Sequence, residues 1–220
     1  MIIQKAKPLD EVLDMLSGAK TVFIQGCGEC AAACKVGGDE EVAEMAETLR
    51  KHGFEVTGTV VLSIACQRQL DRKELRPLKD AVEKADVVLS LCCGDGVQTV
   101  GGLLDQPVLP GVDTLFLGEV QRFGQFAERC RLCGECILGL TAGLCPKTRC
   151  PKGMVNGPCG GYEAGKCEVN PDTDCIWCLI YERLEARGQL DRFKAYQPPK
   201  DHSKSAQPAS LVLPREAGGQ

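Results

Sequence analysis

Fifteen of the 220 residues are cysteine, and they fall into two groups. The later group is the denser, with nine thiols between Cys130 and Cys178. It opens with "CRLCGEC", which sets Cys130, Cys133 and Cys136 as C-x2-C-x2-C. That spacing wraps three thiolates around one face of an iron-sulfur cube, the fourth ligand coming from elsewhere. Two Cys-Pro pairs, Cys145-Pro146 and Cys150-Pro151, offer such a fourth ligand, although the interval after Cys136 is longer than in bacterial ferredoxins. Cys159 follows inside "NGPCGG", where Gly157, Gly160 and Gly161 leave bare backbone N–H groups free to approach a bound group and tune its potential. Cys167, Cys175 and Cys178 complete the group, the last two on one face of a helix near its positive end. Eight of these nine thiols would serve two cubane clusters at about four thiolates each. Zinc is the competing metal, since C-x2-C units are its usual signature as well.

The earlier group is spread more widely. "QGCGECAAAC", residues 25–34, holds Cys27, Cys30 and Cys34, and Cys66, Cys92 and Cys93 come later. Gly26, Gly28 and Ala31 imitate a dinucleotide turn, but a phosphate cradle has no use for thiols and the motif alone is weak. Three of these segments end strand-like runs, and in an open parallel sheet the usable crevice lies beyond the carboxyl ends of the strands. With the first of those strands between the other two, Cys27, Cys30, Cys34, Cys66 and Cys93 are expected to meet there as metal ligands. Residues adjacent in a strand point to opposite faces, so only one of Cys92 and Cys93 should serve. The plain competitor is a buried cysteine acting as a small hydrophobe.

These thiols need a scaffold, and the chain alternates β and α patterns to provide one. Leu9, Val12, Leu13 and Leu16 share a helical face that Gly18 ends; "TVFIQ" is a strand; Val42, Met45, Ala46 and Leu49 mark a second helix. "FEVTGTVVLSIAC", "DVVLSLCC" and "TLFLG" read as further strands, with a helix over "DRKELRPLKDAVEKA" that Pro77 kinks or starts, and a glycine-rich helix or loop at "GDGVQTVGGLL". The expectation is an α/β domain at 1–120, a small open and mostly parallel sheet flanked by helices in Rossmann or flavodoxin-like fashion. A loop-rich, cysteine-dense iron-sulfur domain follows at 121–190, folded around metal rather than a hydrocarbon core. Its one strong helix is "DCIWCLIYERLEARG", with Trp177, Ile180, Tyr181 and Leu184 on one face and Asp172, Thr173 and Asp174 available to cap it. Residues 191–220 read as an extended tail, disordered or laid over a partner.

Net charge is −4 and the sequence pI near 5.4, which favours neither nucleic acid nor an anionic membrane surface. Local basic residues, Arg129, Arg131, Lys147, Arg149 and Lys152, suit the offset of a cluster's negative charge, and no interleaved aromatics support base stacking. The first residues lack a secretory pattern and no apolar run nears membrane-spanning length, so a cytoplasmic, reducing setting without membrane insertion is expected. There, cysteines signal metal or redox chemistry rather than disulfides. The two histidines, His52 and His202, lie away from the thiols in sequence, so the sites should be all-thiolate. No acid–base pair, activated nucleophile or phosphate loop suggests chemistry on an organic substrate.

"CPKGMVNGPCGGYEAGKCEVNPDTDCIWCLIYERL" resembles the methylenetetrahydrofolate reductase C-terminal-like family almost throughout, and "GCGECAAAC" with the glycines after it resembles the N-terminal half of the same small subunit. The resemblance implies the cysteine-rich small subunit of two-subunit reductases of anaerobic bacteria. In such complexes a separate TIM-barrel flavoprotein, carrying FMN or FAD, reduces methylenetetrahydrofolate to methyltetrahydrofolate in the acetyl-CoA pathway. This chain would carry two or three [4Fe-4S] clusters and relay electrons, with further electron-donor subunits as a possible addition. The alternative is a zinc-stabilised docking subunit without a redox role.

Overall fold

The computed structural model describes residues 1–205 and 207–213, and the chain divides into two compact units, Met1–Ala127 and a second beginning at Glu128. The first unit opens with β1 (Ile2–Ala6) and α1 (Leu9–Met15), and continues through β2 (Thr21–Cys27), α2 (Cys30–Ala33), α3 (Asp39–Lys51) and β3 (Glu55–Leu62). Next come α4 (Arg68–Leu75), a 3-10 turn at Arg76–Leu78, α5 (Lys79–Glu83), β4 (Val87–Leu91), α6 (Gly94–Gly101) and β5 (Val108–Pro110). β6 (Val112–Arg122) follows, and β7 (Gln125–Cys130) begins in the first unit and runs on past its end at Ala127.

Four strands form a parallel sheet in the order β3-β2-β4-β5. β2 therefore does lie between β3 and β4, as the flavodoxin-like reading requires. Burial explains the order: all five residues of β4 and all but the first of β2 are buried, whereas β3 is mostly half-exposed. Near-continuous apolar runs suit strands covered on both faces, and a more mixed strand suits an edge. One face packs Val22, Ile24, Leu89 and Leu91 against Val12 and Leu16 beside α1 and Val42, Ala46 and Leu49 of α3. The alternate residues Phe23 and Val88 meet Val82 and Ala85 at α5, and Leu75 of α4 and Val100 of α6 cover the rest of that face with Leu62 and Ala65.

The expected fourth strand "TLFLG" belongs elsewhere. It lies within β6, in a separate three-stranded sheet of order β1-β6-β7, with Ile2 opposite Leu117 and Ala6 opposite Val112 in the antiparallel β1–β6 pair. Only Gly111 separates β5 from β6, and a parallel neighbour needs a crossover of about a dozen residues. The place beside β4 is taken by the short β5, which pairs Val88 to Val108 and Ser90 to Pro110.

The second unit is sparse in regular structure: α7 (Pro146–Arg149), α8 (Ile176–Ala186) and 3-10 turns at Leu190–Lys194 and His202–Ser205. Its core is small, with Ala142, Leu144, Ile176, Trp177, Ile180 and Leu184 buried together. Tyr181 leaves the expected buried face and is exposed, meeting Phe193 edge-on at 5.7 Å between ring centroids. The α8 start also differs from expectation. Cys175 is the N-cap, without a side-chain cap bond, while Asp174 accepts from Lys166 Nζ at 2.7 Å and the Thr173 hydroxyl donates to the Asn170 carbonyl at 2.9 Å.

The described part of the tail turns back on its own unit. Gln197 and Asn156 exchange two hydrogen bonds, of 2.7 and 3.0 Å, and Lys204 Nζ reaches Glu135 Oε1 at 2.7 Å. The remaining tail residues, 206 and 214–220, lie outside the described residues.

Candidate metal centres

In the first unit the thiols occupy two places in the fold, strand ends and α2, with Cys27 and Cys30 on either side of the β2–α2 turn. Cys27 ends β2, Cys93 is the N-cap of α6, and Cys66 lies in the turn before α4, so all three follow carboxyl ends of neighbouring strands. They are close enough that the charges of Cys93 and Cys27 help to raise the Cys66 thiol pKa, after burial and the carboxylate of Asp95. Cys92 is buried beside them, in the same apolar cluster as Cys27. It is 1% exposed, its sulfur lies 2.9 Å from Ser90 Oγ and 3.6 Å from Gln25 Oε1, and Ser90 Oγ donates to Gln25 Oε1 at 2.6 Å. Burial above all pushes the Cys92 thiol up to about 12, which marks it as a protonated member of a buried polar cluster. Cys92 and Cys93 both follow the end of β4 at Leu91, so burial and not strand alternation distinguishes them.

Cys30 and Cys34 form the second place, on α2 and at its C-cap. The Ile2 amide donates to Cys30 Sγ at 3.4 Å, and Cys34 Sγ lies 3.8 Å from the Ile2 carbonyl oxygen. Burial raises the Cys34 thiol pKa, partly countered by a hydrogen bond from the Gln4 amide. β1 supplies these backbone partners, and nothing in "MIIQKA" signals a role beside thiols.

In the second unit Cys150, Cys159, Cys167 and Cys175 line one cleft together with Lys152, Glu168 and Trp177. Lys152 Nζ pairs with Glu168, and Cys159 Sγ reaches the same Glu168 oxygen at 3.4 Å. The ion pair holds the Glu168 carboxyl below the usual carboxylate range, first through the Lys152 hydrogen bond and then through Cys159. Sequence reasoning singled out the glycines here for access to a bound group. Gly157 and Gly160 have φ of +105° and +84°, in the left-handed region that favours glycine. At Gly161 a Cβ would overlap the Glu168 carboxylate, so its bareness makes room for Glu168. Glu168 itself escaped the sequence reading; its adjacency to Cys167 was the available signal.

Cys178 sits one turn beyond Cys175 on α8, and burial, then its contact with Cys175, pushes its thiol up to about 11. The CRLCGEC thiols are more open: Cys130 and Cys136 are exposed and Cys133 half-buried. The Leu132 amide donates to Cys130 Sγ at 3.4 Å, and the Thr148 hydroxyl donates to Cys145 Sγ at 3.4 Å. Glu135 anchors the loop to Lys204 and, through its carbonyl, to Lys147 Nζ at 3.1 Å. Among the described residues, no three His, Cys, Asp or Glu side chains converge as a metal-ion ligand set. The donor chemistry nevertheless suits a thiolate-bound metal group. All fifteen thiols are free, and amides or a hydroxyl point at several sulfurs. His52 lies on the surface with Nδ1 2.8 Å from the Thr48 carbonyl oxygen.

Fold and thiols together define an α/β unit with cysteines along the carboxyl edge of its sheet, followed by a cysteine-dense loop unit. The family model for the methylene-tetrahydrofolate reductase C terminal matches residues 109–203, so this stretch is similar to that domain. No curated protein and no solved structure matches the chain. No helix among the described residues is long and apolar enough to cross a membrane.

Proposed function

We propose that this chain is the iron-sulfur electron-transfer subunit of a methylenetetrahydrofolate reductase complex. Its partner is a separate TIM-barrel flavoprotein, bearing FMN or FAD, that reduces methylenetetrahydrofolate to methyltetrahydrofolate in the acetyl-CoA pathway. The observation that carries this reading is the family match across a stretch that contains all nine later cysteines.

Cys130, Cys133, Cys136 and Cys145 are one candidate ligand set. Cys150, Cys159, Cys167 and Cys175, which share a cleft, are a second, with Cys178 beside them. Cys27, Cys66 and Cys93, with Cys30 or Cys34, are candidates for a third. A [4Fe-4S] group held by four thiolates supplies a one-electron couple. The residues around the thiols serve that purpose in recognisable ways. Lys152 places a cation beside Cys159, amides and the Thr148 hydroxyl donate to sulfur, and Trp177 and Ile176 wall the cleft against water.

The test is anaerobic co-expression with a TIM-barrel flavoprotein reductase subunit, followed by iron, acid-labile sulfide and zinc analysis and EPR of the dithionite-reduced chain. About eight or more irons with matching sulfide, and cluster signals that are re-oxidised through the flavin, are expected for two or more cubanes. Stoichiometric zinc without sulfide would establish the docking-subunit alternative instead.

A further inference from the structure

Away from the thiols, the first unit has a cavity of about 270 Å³ bounded by α4, the following 3-10 turn and α5 on one side and residues 103–106 on the other. Leu75, Val82, Leu103 and Leu104 line it with apolar surface, and Arg72, Arg76 and Lys79 bring cations to it. The volume approaches the lower end of small-ligand sites, which combine an apolar lining with a few placed polar groups.

The charged groups divide unequally. Lys79 is engaged with Glu83 at 3.4 Å, one turn along α5. The Arg76 side chain has no hydrogen bond or ion pair among the described residues, and the Arg72 side chain has only a 3.4 Å contact with Gln69 Oε1. Arg76 continues α4 with helical dihedrals, so Arg72 and Arg76 stand at i and i+4 on one face. Two adjacent guanidinium groups without acidic partners suit the planar, multidentate recognition of a carboxylate or phosphate. Asp105, across the cavity, repels an anion from the opposite wall and so directs a ligand's charge toward the arginine pair.

The walls are tied together. Arg68 Nη2 donates to the Gly102 carbonyl at 2.6 Å, joining α4 to the segment that carries Leu103 and Leu104. The Leu103 and Leu104 amides both donate to the Val100 carbonyl, at 2.9 and 3.2 Å, which holds that segment to the end of α6. A site with fixed walls loses little freedom when it binds. Leu103–Gln106 lead into the start of β5, and α5 leads into the start of β4, so the cavity lies toward the amino edge of the sheet. Cys27, Cys66 and Cys93 follow the carboxyl ends.

We infer that this cavity is a binding site for a small organic anion, a carboxylate or phosphate joined to a compact apolar or aromatic body, with Arg72 and Arg76 taking the charge and Leu75, Val82 and Leu104 the body. Occupancy there leaves the thiol-bearing edge uncovered, which suits an effector or anchoring ligand rather than a reacting one.

The full chain, labelled with ¹⁵N and kept anaerobic, is titrated with phenyl phosphate and followed by amide chemical shifts. Saturable shifts confined to residues 68–83 and 100–108 are expected, with a dissociation constant of about 1 mM or tighter. Phenol and inorganic phosphate, each offering half of the ligand, should bind at least about tenfold more weakly. The double variant Arg72→Ala, Arg76→Ala should weaken phenyl phosphate by about tenfold or more; both side chains are exposed, and an unchanged amide spectrum away from the cavity checks the fold. Absence of saturation up to about 10 mM, equal binding by the double variant, or tighter binding of a poly-glutamate peptide than of phenyl phosphate each overturns the assignment.

Discussion

Asp71 on α4 is 0% exposed, and neither of its carboxylate oxygens has a hydrogen-bond partner among the described residues. Burial, and secondarily the charge of Glu74, raises its pKa from 3.8 to about 6. A carboxyl raised in the folded state favours folding most in its neutral form. Its contribution is therefore full below the unfolded pKa and is lost as pH rises through the folded one. The shift from 3.8 to about 6 corresponds to a ceiling of about 3 kcal/mol, of which about 2 kcal/mol falls between pH 4 and pH 7. Asp71→Asn keeps the shape and removes the titration. Urea unfolding of the full chain and of this variant, followed by circular dichroism at pH 4, 5, 6 and 7, gives the difference in stability at each pH, in which all other titrations cancel. The wild-type chain should lose about 2 kcal/mol relative to the variant across that range, with the change levelling off above pH 6. A difference constant to within about 0.5 kcal/mol would show that Asp71 finds a partner or water in solution, and the burial argument would fail.

Other substitutions probe the second unit and the thiols. Gly134 has φ of +73° and lies where a Cβ would overlap the Lys204 carbonyl oxygen, so Gly134→Ala should cost about 1–3 kcal/mol and release the tail, seen as faster proteolysis after residue 196. Trp177 Nε1 donates to the Met154 carbonyl at 3.1 Å, so Trp177→Phe should destabilise this unit by about 1–2 kcal/mol by urea unfolding while keeping most of the edge-on contact with Phe193. If the proposed iron-sulfur role holds, Cys93→Ser should lower the iron content of anaerobically prepared protein, whereas Cys92→Ser should leave it unchanged; equal loss from both would mean that the buried Gln25–Ser90–Cys92 cluster contributes to the proposed site as well.

Much of the sheet was legible because central parallel strands are buried on both faces and read as unbroken apolar runs, as "TVFI" and "DVVLSL" do. The connections between them carry helical periodicity; β2 and β4 share the burial of inner strands, and which strands flank β2 was decided only by the pairing. β1 was not legible, since "IIQKA" is short and mixed and gains its place only by pairing with β6, more than a hundred residues away. The position of "TLFLG" was misread for a related reason. Its strand character is local, but which sheet it joins depends on the single residue left for a connection after β5.

The thiols divide in the same way. Their types and spacings are written in the chain, and with them the thiol-rich donor set that the proposed clusters would use; Cys92 and Cys93 both lie just beyond β4 and differ in burial, which the folded chain decides. The grouping is another matter. Cys30 and Cys34 meet the backbone of Ile2, and Asp71 is enclosed without a hydrogen-bond partner among the described residues, because elements distant in sequence are packed together; Cys159 meets Glu168 through the fold of its loop. Periodicity and ligand spacing are properties of a few neighbouring residues, so the amino-acid order alone reveals them. Burial, ion pairing and the choice of neighbour are sums over many long-range contacts, and only the folded chain settles those.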